Sequence, residues 1–461
     1  MLRSNLTSLR SSILAAGNLS ASVDVGVDGS GSWGELAGGA AFAARVSDLR
    51  GRSVLVEATN QFAAAQTLIQ LDGAARRMVL YPPDMSREHL AFVAESAESD
   101  AIVTEDAEIG CSMEPSLAKR RLSIDPHTRA RSPIETEWIL LTSGTTGAPK
   151  LVKHSLATLT AAIKARTLSS EPIVWSTFYD IRRYGGLQIF LRAALTGSPL
   201  VLSSSQEAIA DFLVRAGKRG VTHISGTPSQ WRRALMSAAA NGIAPTYVRL
   251  SGEIADQAIL NQLQSQYPKA KIVHAFASTE AGVVLEVSDV VMGIPSDAFG
   301  HTSEVEMKVE EGTLRVRSNR TAFEYLGKDP LRLKDTKGFV DTGDVLELRE
   351  GRYYFAGRRD GTINVGGLKV HPEEVESVLN RHPEVGMSLV RMKKSSITGG
   401  LVVADVVLRT PTPTEDAART LQHDILKFCR EELAVYKVPV GINFVSTLAV
   451  AQSGKLIRRR A

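Results

Sequence analysis

The sequence predicts an α/β protein with a large N-terminal domain of mixed α/β layers, a small β-barrel-like subdomain and a small C-terminal α+β domain. Three observations predict this fold class. Apolar strand-like segments alternate with helix-like segments up to about residue 300. Short alternating strands with polar turns then occupy about 300–358, and the remaining residues mix helical and strand patterns. A chain of 461 residues is also too long for one ordinary core.

The alternation in the first part is typical of a parallel sheet with helices on both faces. The elements that produce it are, in order, a strand at Val54, a helix over 62–71, strands at Met78 and Ala101, a strand over 138–141, a helix after Ser155, a strand at Leu200, a helix over 206–218, and strands at Thr222 and Lys271.

The later elements are shorter. Four strands, EVEMKV, TLRVRS, VLELRE and RYYFAG, predict an antiparallel or barrel-like unit. Beyond it, we expect a helix over 373–380, strands near Ser388 and Leu401, a helix over 415–433 and a strand at Ile442. Five residues of the longer helix are predicted to be core because the apolar ones recur at near-helical spacing: Leu421, Ile425, Phe428, Cys429 and Leu433.

Composition is that of a globular protein, with 43% hydrophobic and 23% charged residues. A net charge of +4 does not indicate a nucleic-acid partner, although the basic residues 458–460 could either contact phosphate or stay solvated. Cys111 and Cys429 lack any CxxC or histidine pattern, which favours a reducing compartment without a metal–thiolate site. No apolar run approaches the roughly 20 residues that cross a bilayer, so we expect a cytoplasmic protein without a membrane span.

The first 23 residues contain Arg3, Arg10, several serines and no acidic residue. Two interpretations fit this composition: an organellar transit peptide, or an amphipathic starting helix of a cytosolic enzyme.

The segment LTSGTTGAPK, residues 141–150, predicts a phosphate-binding loop that an apolar strand delivers to a pocket edge. Gly144 and Gly147 would let backbone amides turn toward an anion. Only two residues separate these glycines, whereas the usual NTPase loop has four, so an ordinary P-loop is disfavoured. A plain Ser/Thr/Gly surface turn is the alternative. The polar groups of the segment are Thr142, Ser143, Thr145, Thr146 and Lys150.

LTSGTTGAPK resembles the signature loop of the adenylate-forming superfamily, which contains acyl-CoA synthetases, aryl acid ligases, nonribosomal adenylation domains and luciferases. The resemblance implies that ATP activates a carboxylic acid as an acyl-adenylate with release of pyrophosphate, after which a thiol accepts the acyl group. The implied cofactors are ATP, Mg²⁺ and either CoA or the phosphopantetheine of an acyl carrier protein. A noncatalytic nucleotide-binding relative is a third reading.

HAFASTEAG, residues 274–282, resembles the family motif that contacts adenine, phosphate and metal. By this match Phe276 would form one wall of the adenine site, and Thr279 would hydrogen-bond the α-phosphate. Glu280 would help hold magnesium, for which a carboxylate is suited. Ala277 stands where the family usually has glycine. Upstream, a second short segment resembles the backbone strip along the adenine: Ser251, Gly252 and Glu253.

VDTGDV and GRRDG resemble the ribose and hinge motifs of the family. Asp344 would accept from both ribose hydroxyls. Arg358 would lie near ribose and phosphate, although Arg358 and Arg359 could instead form a solvated turn. Asp360 matches the hinge between a large domain, 1–359, and a small mobile domain, 361–461.

Two segments of the small domain complete the resemblance. INVGGLKVHPEEVE, residues 363–376, resembles the part that swings toward the active site for thiol transfer, and is also compatible with a hairpin followed by a helix. Gly366 and Gly367 would let a pantetheine arm pass, and Lys369 stands where arginine is more common. In SGKLIRR, Lys455 would stabilise the charge that grows as pyrophosphate leaves; a solvated tail is the alternative.

The segment WSTFYDIRRYGGLQIF, residues 175–190, lies where the family lines its acyl pocket. Its spacing places Arg182 or Arg183 opposite the acid, where one of them could recognise a second acidic or polar group; a helix surface is the alternative. Asp180 could pair with an amine, but its spacing fits amino-acid activation poorly. A small or aromatic carboxylic acid is expected. The candidate pocket residues are Tyr179, Asp180, Arg182, Arg183 and Tyr184.

Overall fold

The computed structural model describes residues 8–39, 46–58, 60–104, 134–142, 147–164, 172–204, 206–301, 304–395, 398–410, 414–450 and 454–457. The helices within these ranges are α1 (Leu9–Ala15), α2 (Trp33–Gly38), α3 (Gln61–Leu71), α4 (Leu90–Ser96), α5 (Leu156–Thr160), α6 (Tyr184–Thr196), α7 (Ile209–Lys218), α8 (Pro228–Leu235), α9 (Gln257–Gln266), α10 (Pro372–Leu379) and α11 (Glu415–Glu432).

The strands follow in chain order. The first part of the chain contains β1 (Ser22–Asp24), β2 (Ser30–Ser32), β3 (Ser53–Glu57), β4 (Arg77–Leu80), β5 (Ala101–Thr104), β6 (Glu137–Thr142), β7 (Lys150–Ser155), β8 (Trp175–Thr177), β9 (Leu200–Leu202), β10 (His223–Gly226), β11 (Tyr247–Ser251), β12 (Lys271–Ser278) and β13 (Gly282–Val287). The remainder contains β14 (Ile294–Pro295), β15 (Gly300–His301), β16 (Val305–Glu310), β17 (Thr313–Ser318), β18 (Glu324–Leu326), β19 (Val340–Arg349), β20 (Arg352–Arg358), β21 (Ile363–Val365), β22 (Leu368–Val370), β23 (Val385–Ser395), β24 (Gly399–Leu408) and β25 (Ile442–Phe444).

The large domain contains two mainly parallel sheets where the sequence suggested one. The first has the order β13-β12-β11-β10-β8-β9-β1-β2, and the second has the order β18-β7-β6-β4-β3-β5. Their central strands pair in parallel, whereas β13, β2, β7 and β18 pair antiparallel at the edges. Parallel strands bring their carboxyl ends to the same sheet edge, so the residues after β10, β11 and β12 meet there.

The third sheet is antiparallel and contains the four strands predicted after residue 304, in the order β14-β20-β19-β17-β16-β15. The small domain consists of the β21–β22 hairpin, a sheet of β23, β24 and β25, and the helices α10 and α11. The predicted fold class, a mixed α/β large domain with a small C-terminal domain, is confirmed. The predicted hinge, Asp360, lies in the short connection between β20 and β21.

Helix α11 packs on the small sheet through the residues predicted to be core. Ile425, Cys429 and Leu433 are buried, and Leu421 and Phe428 are partly buried against the same cluster. Burial of apolar side chains is the main stabilising term of such a layer.

Leu9 and Ile13 of α1 are buried in the core of the large domain, so this helix packs through an apolar face. Within the ranges given above, no helix is both long and apolar enough to cross a membrane.

Candidate active site

A cleft with a volume of about 1270 Å³ lies at the edge where β11 and β12 end, and the small domain forms part of its wall. Most of the residues predicted to act on nucleotide come together in this cleft, although they are far apart in the sequence. The predicted residues that line it are Thr142, Lys150, Gly252, Glu253, Phe276, Thr279, Glu280, Asp344, Arg358, Asp360 and Lys455.

Lys455 lies in the cleft because its neighbours are bound to the large domain. The carbonyl of Gly454 accepts from Thr227 Oγ1 at 2.6 Å, and the amide of Leu456 donates to Glu253 Oε1 at 3.0 Å. A β-carbon added to Gly252 would lie 3.6 Å from Cε of Lys455. The φ angle of Gly252, 85°, also favours glycine. The lysine therefore lies beside the backbone strip predicted to contact adenine.

Asp344 and Arg358 are directly opposite each other on β19 and β20, and Arg358 Nη1 lies 3.6 Å from Asp344 Oδ1. Burial raises the pKa of Asp344 above its ordinary value, against the opposing charges of Arg358 and Lys455. A mostly buried carboxylate with an exposed arginine beside it suits a ligand that donates hydroxyl hydrogen bonds and carries phosphate.

Tyr325, which was not predicted from the sequence, joins two of the predicted phosphate-site residues. Its hydroxyl donates to Glu280 Oε1 at 3.3 Å, and Lys150 Nζ lies 5.3 Å from its ring centroid. Burial and the charge of Glu280 raise the pKa of Tyr325, so the hydroxyl stays a neutral donor. Its strand, β18, pairs with β7, which begins at Lys150.

Glu280 fits a magnesium ion that is held together with a nucleotide. Among the described residues, no group of three or more His, Cys, Asp or Glu side chains could hold a metal on its own. Magnesium commonly uses one or two carboxylates together with phosphate oxygens and water. A single carboxylate in the cleft that Lys150 also lines therefore has the chemistry that magnesium–ATP requires.

Phe276 forms an aromatic wall with Phe355. Their ring centroids lie 5.2 Å apart and the ring planes are inclined by 21°. Both residues line the cleft, Phe276 from the first sheet and Phe355 from the third. Offset stacked rings offer a flat apolar surface for a base.

His154 supports the Thr279–Glu280 backbone and was also missed. Its Nε2 donates to the carbonyl of Thr279 at 2.7 Å, and its Nδ1 lies 2.9 Å from Thr158 Oγ1. Burial lowers the pKa of His154 to about 4, so the imidazole is neutral near neutral pH.

A pH-dependent stability follows from His154. The pKa of His154 falls from 6.5 in the unfolded chain to about 4 in the folded protein. Its contribution to the stability of the native state is therefore complete above pH 6.5 and is lost as pH falls toward 4, because the unfolded chain takes up the proton first. Over pH 7 to 5 this contribution amounts to about 2 kcal/mol. Buried Asp72, with a pKa raised to about 6, has the opposite effect because its neutral form favours the native state.

Between pH 7 and pH 5, wild type should lose about 2 kcal/mol of unfolding free energy through His154, and His154→Gln should not. We therefore expect the variant to gain about 2 kcal/mol of stability relative to wild type when the pH is lowered over this range. Urea unfolding of both proteins at the two pH values measures this difference, and Asp72 cancels because both proteins contain it. Equal pH dependence of the two proteins would contradict this role for His154.

The structure pairs both candidate pocket arginines with protein carboxylates. Arg182 is 1% exposed and contacts Asp180 through Nε at 2.8 Å and Nη2 at 2.6 Å. Arg183 donates to Asp84 at 2.6 Å and to the carbonyl of Leu141 at 3.1 Å. A buried guanidinium needs such a partner. The alternative of an exposed helix surface is wrong, because Arg182 is buried and Arg183 lies just before α6 and is mostly buried. Arg182 Nη1 and Arg183 Nε are buried without a hydrogen-bond partner in the protein, so the role of one of these arginines toward the acid stays a prediction. Arg183 also holds the end of β6, the strand that precedes the predicted phosphate loop.

The two candidate tyrosines are also buried. The hydroxyl of Tyr179 donates to the carbonyl of Ser251 and so fixes the strip beside Lys455. Tyr184 begins α6, and its ring centroid lies 5.9 Å from that of His154.

The predicted phosphate loop joins β6 to β7, and its described ends, Thr142 and Lys150, line the cleft. Ser143, Gly144, Thr145 and Thr146 lie outside the described residues. Thr142 and Lys150 are register partners at the two ends of the loop. Gly147 has a φ angle of 98°, a conformation that favours glycine.

The segment predicted to serve thiol transfer forms a hairpin, as expected. Gly366 and Gly367 have φ angles of 60° and 90° and connect β21 with β22, which fits a two-residue turn with two positive φ angles. Both glycines and Lys369 are exposed, and these three described residues do not line the cleft. The structure therefore places Lys455 in the cleft and the hairpin outside it.

Comparison with known proteins agrees with this geometry. The family model for AMP-binding enzyme matches residues 41–316, and that for the AMP-binding enzyme C-terminal domain matches residues 374–455. A 2-succinylbenzoate–CoA ligase from Bacillus cereus strain AH820 is 26% identical over 434 residues, which cover 89% of this chain and 88% of the relative.

Two solved structures illustrate the similarity in fold. The anthranilate CoA ligase in complex with anthranoyl-AMP has a TM-score of 0.78 at 17% identity, covering 97% of this chain and 95% of that one. The amide bond synthetase from Marinactinospora thermotolerans has a TM-score of 0.74 at 18% identity and 97% coverage of both chains. The matched family models span most of the chain, which therefore belongs to the AMP-binding enzyme family of the adenylate-forming superfamily.

Proposed function

We propose that this protein is an AMP-forming acid–thiol ligase that converts a small or aromatic carboxylic acid into its acyl-adenylate and then into its CoA thioester. One observation supports this most strongly: Lys455, from the end of the small domain, lies in one cleft with Glu280, Asp344 and Phe276. The names of the CoA ligases among its relatives support CoA as the acceptor. The cytoplasmic location stays a prediction.

In the first step, an oxygen of the acid attacks the α-phosphorus of ATP and pyrophosphate leaves. Phe276 stacks with the adenine, and Asp344 accepts from the ribose hydroxyls. Thr279 donates to the α-phosphate, and Lys455 stabilises the charge that develops between acid and phosphate. Glu280 would hold magnesium together with the nucleotide, and the ion would supply positive charge that neutralises the phosphates.

In the second step, the thiol sulfur attacks the acyl carbon and AMP leaves. We propose that the small domain rotates about Asp360, withdraws Lys455 and brings Gly366, Gly367 and Lys369 to the cleft. The exposed position of the hairpin in the present arrangement supports a rotation of this kind. One cleft can then serve two reactions in sequence.

The present arrangement is held by a buried contact between the domains. Arg232 Nη2 contacts both oxygens of Asp256 at 2.7 Å, and Asn380 of the small domain donates to Asp256 Oδ2 at 3.1 Å. Ser388 in turn donates to Asn380 Oδ1 at 2.9 Å. Rotation of the small domain would break the Asn380–Asp256 bond, so this bond favours the first step.

We expect Asn380→Ala to slow adenylate formation by about tenfold, because losing a hydrogen bond to a charged group costs about 1.5 kcal/mol or more. Thiol transfer from supplied acyl-adenylate should be unchanged or faster. Rapid-quench measurement of each half-reaction tests this. Asn443→Ala is the matched control, since Asn443 bonds Asp405 within the small domain. Equal slowing of both half-reactions would show that the Asn380–Asp256 bond does not favour the first step.

The proposed function is tested by acid-dependent exchange of labelled pyrophosphate into ATP over a library of carboxylic acids. AMP release is then measured with CoA and with a phosphopantetheinylated carrier protein. AMP release that depends on CoA supports the proposal, whereas dependence on the carrier protein supports a stand-alone carrier-loading ligase. If no acid supports exchange, a noncatalytic nucleotide-binding role replaces both.

A further inference from the structure

The loop between β13 and β14 connects the first sheet with the third and contains a strained residue. We call this loop, residues 288–293, the junction loop. Val290 within it has a φ angle of 60°, a left-handed conformation that is rare for a β-branched side chain. Strain of this kind persists only where the surrounding structure imposes it, and it clusters at sites with a function. The contacts of the junction loop therefore indicate what the strain maintains.

The first sheet and α9 bind the junction loop from one side. Gln257, the first residue of α9, donates to the carbonyl of Val290 at 2.9 Å and accepts from the amide of Met292 at 3.1 Å. His274 on β12 donates through Nε2 to the carbonyl of Val291 at 3.1 Å. Met292 also lines the cleft, so the junction loop is part of the cleft wall.

Arg352, the first residue of β20, binds the junction loop from the third sheet. Its guanidinium donates to the carbonyl of Met292 through Nε and to those of Val291 and Gly293 through Nη2, each at 3.1 Å. Its Nη1 contacts Asp289 Oδ2 at 2.7 Å. The carbonyl of Val291 therefore accepts from the first sheet and from the third. One arginine side chain contacts four residues of the loop and joins the two sheets.

The two parts of the proposed nucleotide site lie on the two sheets that the junction loop joins. Phe276, expected to bind the base, follows His274 by two residues on β12. Asp344, expected to accept from the ribose hydroxyls, lies on β19, which pairs with the strand that Arg352 begins. The separation of the base site from the ribose site therefore depends on how the first and third sheets are held together.

We propose that Arg352 is a positioning residue for the nucleotide: by joining the third sheet to the first, it sets the distance between Phe276 and Asp344 so that base and ribose bind together. This inference rests on the proposed function. The described residues that line the cleft do not include Arg352, so its effect passes through the junction loop. Its side chain is only 18% exposed, and hydrogen bonds from a charged donor are the stronger kind.

The test measures how much the ribose hydroxyls contribute to binding. Isothermal titration calorimetry gives the Kd of AMP and that of 2′,3′-dideoxy-AMP, which keeps the base and the phosphate and lacks both hydroxyls. The measured quantity is the ratio of the two Kd values, dideoxy-AMP over AMP. In wild type we expect a ratio of about 10 or more, because dideoxy-AMP leaves the buried carboxylate of Asp344 without its donors.

Arg352→Met should lower this ratio to about 3 or less, because a ligand whose base is bound no longer brings its hydroxyls to the carboxylate. Arg352→Lys keeps the charge opposite Asp289 but lacks the planar fork that reaches the carbonyls, so we expect a similar loss. Arg349→Met is the matched control and should keep the wild-type ratio. Arg349 is the register partner of Arg352 and pairs with Glu347 within the third sheet.

Gln257→Met removes the support of the junction loop on the opposite side and leaves Arg352 in place. We expect the ratio to fall about threefold, the usual effect of losing neutral hydrogen bonds. This variant keeps the test decisive if neither Arg352 variant folds, which circular dichroism would reveal.

Two kinds of result would overturn the proposal. An unchanged ratio in a folded Arg352 variant, or in Gln257→Met where neither Arg352 variant folds, rejects the positioning role and leaves the proposed function standing. This holds even if both ligands bind more weakly, since equal weakening means that Arg352 only supports the fold. A wild-type ratio near one, or no binding of AMP, rejects the role of Asp344 in the proposed function together with this inference.

Discussion

Lys455→Ala should slow acyl-adenylate formation by about 10² to 10³-fold, the usual effect of removing one preorganised charge donor from a developing anion. The lysine lies beside Gly252 because Gly454 and Leu456 on either side of it are bound to Thr227 and Glu253. No other part of the proposed first step depends on the small domain so directly. Pyrophosphate exchange with a saturating acid measures the loss.

Thiol transfer provides the control for this prediction. Supplied acyl-adenylate should react with CoA at nearly the wild-type rate in Lys455→Ala, because the rotated arrangement withdraws the lysine from the cleft. Lys369→Ala should show the reverse, normal exchange with slowed thiol transfer, since Lys369 is outside the cleft in the present arrangement. Normal exchange in Lys455→Ala would show that the lysine is not used for adenylation.

Glu280→Gln should reduce exchange by about 10²-fold and raise the magnesium concentration needed for half-maximal rate, because an amide is a weaker ligand of a hard cation than a carboxylate. Glu280 contacts Tyr325, whose ring lies under Lys150 at the end of the predicted phosphate loop.

Tyr325→Phe is the matched variant for Glu280. It removes the 3.3 Å hydrogen bond and keeps the aromatic ring under Lys150, so we expect a loss of only about threefold to tenfold. A magnesium titration of exchange in both variants distinguishes the two effects. An unchanged magnesium requirement in Glu280→Gln would remove Glu280 from the metal site.

The predicted site residues that the structure brings together lie within short motifs, and their roles stay predictions. Asp344, Glu280 and Lys455 were placed by their immediate neighbours in the chain, and the structure brings all three into the same cleft. Tyr325 and His154 were missed because strand register and packing determine their contacts. Tyr325 reaches Glu280 because β18 adds to the second sheet beside β7. No pattern near either residue marks that placement.

In the fold, too, local patterns predicted individual elements, whereas the pairing of distant segments could not be predicted. Most strands were predicted because apolar runs stand out, but their separation into two sheets depends on pairing between distant segments. Helix α8 was missed although Thr227 and Gln230 form a capping box with proline at the first position, which is a local signal. Helix α6 has no side-chain cap and begins with Tyr184 and two glycines, so packing rather than propensity accounts for it.

A crystal structure of this protein with a hydrolysis-resistant acyl-adenylate analogue tests directly whether this cleft is the adenylation site. We expect adenine against Phe276, ribose hydroxyls on Asp344, and Lys455 within hydrogen-bond distance of the bond between acyl group and phosphate. An analogue bound outside this cleft, or bound within it with Lys455 directed away from that bond, would show that the proposed adenylation site is wrong.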